Sequence, residues 1–135
     1  MITIKVTGSG SKKRTLAIEH ACRFYLKKLG FRKRKRELEI HIRFVKDMTE
    51  MGLCDFNDDF MFPEFDIDIN KSLSEEDVLR TIAHELVHAK QFIRKELRYR
   101  EHDTLWKGKP STKEEWEIEA YVTELILYNE YINGN

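Results

Sequence analysis

His84 and His88 stand four residues apart in the run Thr81-Ile82-Ala83-His84-Glu85-Leu86-Val87-His88-Ala89-Lys90, and a helix is what brings them together. Each residue advances a helix by about 100°, so side chains four apart stack on one face. Two imidazoles so placed can grip one metal ion without bending the backbone. Glu85 follows the first histidine and points to the side of the pair, where it can accept a proton from a metal-bound water. The H-E-x-x-H pattern therefore suggests zinc and hydrolysis.

The surrounding residues support a helix. Ser74-Glu75-Glu76-Asp77 opens it with a cap and acids in the first turn. Val78, Ile82, Leu86, Ala89 and Ile93 follow at helical spacing and form an apolar stripe. The two histidines fall about 150° from that stripe. They are off the face that packs the core, so they line a cleft only if another element covers their side.

A zinc site for hydrolysis needs three protein ligands and an open position. A second helix is expected from Glu115 through Ile132, with Ile118, Tyr121, Val122, Leu125, Tyr128 and Ile132 as its apolar stripe. Glu117 lies at the edge of that stripe, with Glu124 on the same side two turns on. Glu119 lies further round, toward solvent. Wheel geometry favours Glu117 as the third ligand. His102, fourteen residues after His88 in a polar stretch, is the rival; it is otherwise a surface histidine or an oxyanion stabiliser.

At these residues the chain resembles the zincin metallopeptidases. More narrowly it is similar to the gluzincin branch, in which H-E-x-x-H is followed by a helix bearing a ligand glutamate. In several such families that helix reads E-x-x-A, matched here by Glu117-Ile118-Glu119-Ala120. The related E-x-x-A-D pattern would place an aspartate where this chain has Tyr121, which leaves open what orients a metal-bound histidine. The resemblance implies zinc on His84, His88 and Glu117, Glu85 as the base, and a zincin-like (minigluzincin) α+β fold of the small single-domain kind common in phage and bacterial genomes. Met51-Gly52-Leu53-Cys54-Asp55 is also similar to SprT-like proteases, whose third ligand is a histidine after the motif; His102 would be the matching residue. The resemblance covers roughly positions 50 to 132 and is specific at the two helices.

The chain has 135 residues, read as one domain over 1–135 and enough for a core. Its 24 Lys and Arg balance 24 Asp and Glu, so no global field pulls it toward nucleic acid. Lys27 to Arg36 is nonetheless strongly basic, which suits either a helix C-terminus or phosphate contact. No run is long and apolar enough for a membrane span, and no signal peptide is read at the start. Cys22 and Cys54 lack metal-ligand spacing, which points to a reduced, cytoplasmic setting.

Strands are expected at 2–7, 37–45 (Leu38, Ile40, Ile42 and Phe44 inward) and 65–70. A helix is expected over 13–29, with Leu16, Ala17, Cys22, Phe24, Tyr25 and Leu29 as its apolar residues and Gly30 as its stop. Residues 47–62 and 97–114 read as loops. The order β-α-β-β-α-α implies a small mixed sheet with helices packed on it. The strand carrying Phe65, Ile67 and Ile69 has acids between them and reads as an exposed edge able to hold an extended peptide, or as an edge whose acids block aggregation.

The expected chemistry is peptide hydrolysis, with Glu85 taking a proton from a zinc-activated water and passing it to the leaving amine. Tyr121, Tyr128, Tyr99 and His102 are candidates for stabilising the oxyanion. Two other readings compete: a zincin-fold protein that holds metal and binds a partner without cleaving, and a protease recruited to DNA. Neither substrate nor oligomeric state is legible.

Overall fold

The computed structural model describes residues 2–31, 37–57, 63–111 and 114–134. The molecule is a small α+β structure with a mixed sheet and three long helices. Strand β1 (Ile2–Thr7) leads into α1 (Lys12–Lys28), followed by β2 (Leu38–Val45), β3 (Gly52–Asn57), β4 (Glu64–Asn70) and α2 (Glu75–Ile93). Three short strands, β5 (Leu97–Tyr99), β6 (Thr104–Trp106) and β7 (Lys109–Pro110), precede α3 (Glu114–Asn133).

The main sheet has the order β1-β2-β4-β3, with β3 antiparallel to its neighbour and the other pairs parallel. Strict alternation makes it one-sided. Leu38, Ile40, Ile42, Phe44, Phe65, Ile67 and Ile69 turn inward and are buried. The intervening residues make a polar outer face tied by ion pairs such as Arg43–Asp68 at 2.7 Å and Lys5–Glu39 at 3.3 Å. Helices α1 and α2 cover the inner face, and α3 packs on α2 and α1.

Both expected long helices before position 95 form, for identifiable local reasons. The Ser11 hydroxyl accepts from Arg14 N at the start of α1, and the Ser74 hydroxyl accepts from Asp77 N at the start of α2. Gly30, at φ 93°, takes the left-handed turn that stops α1. Lys28 near that end pairs with Glu130 of α3 at 3.4 Å. Residues 32–36 of the basic run, and the aromatic and methionine residues of 58–62, lie outside the described residues.

Several expectations need correction. Strand β4 is not an edge: it is paired on both sides, and Phe65, Ile67 and Ile69 are fully buried at the centre of the core. Its outward acids pair across the sheet with β2 instead of guarding an edge. The edge on this side of the sheet is β3, which falls within the expected 47–62 loop. Its Gly52, Cys54 and Phe56 face α2 while Leu53, Asp55 and Asn57 face out; with a glycine, a cysteine and only one large apolar residue inward, its alternation is weak. The expected 97–114 loop holds the three-stranded β5–β7 meander. In α1, Leu16 and Ala17 are exposed, and Ile18, Ala21 and Leu26 join Cys22 and Tyr25 in the core.

The largest correction concerns α3. Ile118, Tyr121, Val122, Leu125 and Ile132 of the expected inward stripe are exposed. The buried face is Trp116, Ala120, Glu124 and Leu127. This helix is apolar on both sides, so period alone offers two stripes. Small Ala120 permits close approach to α2, and the glutamates on either side of it in the sequence have partners there.

Candidate metal centre

The middle of α2 is buried on every side: Val78, Ile82 and Leu86 meet the core, and His84, Glu85 and Gln91 are buried too. Helix α3 supplies the cover that the histidine face requires. Between them lies a cleft of about 680 Å³, lined by Gly52, Leu53 and Cys54 of β3, His84, Glu85 and His88 of α2, Tyr99 of β5, and Glu117, Tyr121 and Glu124 of α3.

Glu117 reaches both histidines. Its Oε1 lies 3.1 Å from His84 Nε2 and 2.9 Å from His88 Nε2. The ligand-capable atoms of His84, His88 and Glu117 all fall within 4.8 Å of one another, a group that can hold a metal ion. Glu117 comes from the edge of the buried stripe of α3, beside Glu124, and of the stripe that the sequence period picks out Tyr121 alone borders the cleft among the described residues.

The far side of each ring has an acceptor. His84 Nδ1 donates to Glu124 Oε1 at 2.9 Å, and Glu124 is held in turn by Arg80 Nε at 3.0 Å. His88 Nδ1 donates to Gln91 Oε1 at 2.8 Å. The Gln91 amide cannot turn round, because its Nε2 donates to Trp116 O at 3.0 Å and Glu119 Oε1 at 3.1 Å. Burial also holds the His88 pKa below its ordinary value, against the raising effect of the Gln91 hydrogen bond, and the facing His84 lowers it further.

That donor set tests the fit of a cation. With Nδ1 of each ring turned to its own acceptor, Nε2 is the ring atom left to face the cleft, and both Nε2 atoms meet the same carboxylate oxygen of Glu117. Two imidazole nitrogens and a carboxylate oxygen converging on one point are a donor set suited to a divalent cation, which would take the place of the protons that otherwise bridge them. The residues therefore fit a metal.

Glu85 is buried next to this group. Burial, reinforced by the charges of Glu117 and Glu124, raises its pKa from an ordinary 4.5 to about 8. Cys54 faces it from β3; burial and the nearby Glu85 raise the thiol well above its ordinary value, so it stays a neutral thiol. The strand can come this close because residue 52 is glycine. A Cβ there would lie 2.5 Å from Thr81 Cγ2, 3.2 Å from Asp68 O and 3.3 Å from Glu85 Cγ. Gly52→Ala is expected to destabilise the fold by about 1–3 kcal/mol in urea unfolding, and Thr81→Ser, which deletes the opposing methyl, should recover most of that loss. An unchanged midpoint in Gly52→Ala would contradict this packing.

The other sequence candidates divide clearly. Tyr121 lies over His84, ring centroids 4.5 Å apart, at the cleft wall. Tyr99 lines the opposite side and packs edge-on against Phe92 at 5.4 Å. Tyr128 does not line the cleft. Glu119 is engaged elsewhere, by Lys90 Nζ at 2.8 Å. Burial opposes its charge, yet Lys90 and Gln91 prevail and hold its carboxyl below the ordinary value. The His102 side chain is 90% exposed beside Glu101 and stands away from the cleft, so the structure brings it to neither the ligand nor the oxyanion position. Sequence reasoning assigned no role to Glu124 or Gln91. Both were visible as spacings: Glu124 two helical turns after Glu117, and Gln91 three residues after His88.

Residues 20–122, well over half of the chain, match the SprT-like family. The chain belongs to that family. No curated protein and no solved structure matches it. The SprT-like match begins within α1 and ends at Val122 in the first half of α3. It therefore takes in His84, Glu85, His88 and Glu117, while Glu124 lies just beyond it. None of the described helices of this SprT-like chain is long and apolar enough to cross a membrane.

Proposed function

We propose that this SprT-like protein is a zinc-dependent metallopeptidase of zincin-like architecture. The observation that carries the proposal is the convergence of His84 Nε2, His88 Nε2 and Glu117 Oε1 beside a buried Glu85 in an open cleft. His84, His88 and Glu117 would hold the ion. When bound, zinc supplies Lewis acidity that activates water at neutral pH and polarises a carbonyl.

The chain's own groups do the rest. Glu124, braced by Arg80, and Gln91 hold the two imidazoles in one tautomer and orientation. Glu85 takes the proton of the attacking water and returns it to the leaving amine. Tyr99 and Tyr121 are the phenols on the cleft wall suited to donate to the oxyanion. Among the described residues no strand pairs with the outer edge of β3, so an extended peptide can add there by backbone hydrogen bonds. The substrate class is therefore a peptide or an unfolded stretch of protein.

Elemental analysis of the purified protein tests this reading, beside hydrolysis of an unstructured peptide mixture. One zinc per chain is expected, with cleavage lost on chelation and restored by zinc. Failure to take up metal after zinc is supplied would refute the proposal.

A further inference from the structure

The outward face of α3 has a pattern that the metal centre does not use. Ile118, Val122, Leu125, Asn129 and Ile132 follow one another at steps of four, three, four and three residues, and all five are exposed. That alternation is the seam of a two-stranded coiled coil, with Val122 and Asn129 at the a positions and Ile118, Leu125 and Ile132 at d. Tyr121 and Ile126 flank it, 62% and 52% exposed. Buried Ala120 and Leu127, seven residues apart, mark the opposite face, where the helix joins its own domain.

We propose that this seam pairs with the same seam of a second copy of the chain, in parallel and in register. Three observations favour a second copy over another partner. First, the seam from 118 to 132 carries no charge, so like copies do not repel. The glutamates nearby are turned elsewhere: Glu117 and Glu124 to the histidines, Glu119 to Lys90, and Glu130 to Lys28.

Second, the seam is self-complementary. Val122 at a with leucine at the central d suits two strands, and the single Asn129 at a pairs with its own symmetry mate, fixing the register and setting the two-stranded state against the lean of Ile118 and Ile132 at d toward larger bundles. Third, the size fits. Five apolar side chains about half exposed, with Asn129 among them and Tyr121 left to the cleft, present on the order of 500 Å². With a rim of Tyr128 and Asn133 this reaches the lower part of the roughly 600–1,000 Å² per partner typical of specific interfaces. Each domain joins its helix through the face opposite the seam, so the two bodies lie on the far sides of the paired helices.

Sedimentation equilibrium of the intact protein, from low to high micromolar concentration, tests the proposal. A dimer is expected. Leu125→Glu should weaken it about 100-fold, while its far-ultraviolet circular dichroism, and its melting temperature at concentrations where the wild type is monomeric, stay unchanged, because Leu125 is exposed in the single chain. Ile118→Cys should form a disulfide between copies on oxidation, since a parallel register sets equivalent d positions side by side. A wild-type protein that stays monomeric throughout, a Leu125→Glu variant that dimerises as well as wild type, or an Ile118→Cys dimer that cannot be cross-linked would each overturn it.

Discussion

Glu85→Gln is expected to keep the metal at wild-type stoichiometry while peptide hydrolysis falls about 10²–10⁴-fold. Glutamine preserves the shape of the side chain but cannot take a proton, and Glu85 is not among the converging ligand atoms. Turnover equal to wild type would show that another group moves the proton. The same variant has a second expected effect, on stability without metal. The unfolded chain releases the Glu85 proton near 4.5, whereas the metal-free fold retains it to about 8. Between those values the fold binds more protons, so its stability falls as pH rises through the window and levels off above it. Metal-free Glu85→Gln should therefore be the more stable protein above pH 8, by on the order of a few kcal/mol. The difference should vanish toward pH 4.5. Thermal melts of the two metal-free proteins across that range would show it; parallel pH profiles would contradict the burial of this carboxyl.

His88→Ala and Glu117→Ala should each lose the metal on dialysis, because each removes one of three converging donors. Glu124→Gln should do less. It keeps the shape of the side chain beside His84 and Arg80 but removes its charge, and affinity should drop by about 10–100-fold, as for other partners that orient a ligand. Competition with a chromogenic chelator would measure all three. His102→Ala is the control, since that side chain is exposed and away from the cleft. Loss of metal in His102→Ala with retention in Glu117→Ala would reverse the ligand assignment.

What could be read beforehand followed from how local each signal is. Two histidines on one helix, a serine cap and strands with apolar residues at every second position are short-range patterns, and α2, β1, β2 and β4 form where those patterns lie. Strand β3 escaped because Gly52 and Cys54 occupy inward positions where a larger residue would announce a strand; the glycine is there for its lack of bulk against Thr81 and Glu85. Strands of two or three residues, such as β5 to β7, leave no period at all. The position of β4 inside the sheet is a matter of pairing order, which alternation within one strand does not encode. For α3, two apolar stripes competed, and the choice between them is made by contacts with α2, an element distant in the chain. Glu117 meets the histidines from the margin between those stripes, which is why it could be picked out although the packed stripe was misread.

The two helices that form the centre are far apart in the order of synthesis. The donors on α2 emerge from the ribosome first, together with the sheet beneath them, and the carboxylates of Glu117 and Glu124 emerge 29 and 36 residues after His88. A domain folds as a unit, and this one cannot close before α3 is available. Until α3 docks, a nascent chain has two imidazoles and no third donor, and the ring of His84 has no partner to hold it. The centre is completed only once α3 has docked, so closing the fold and assembling the three donors are a single event.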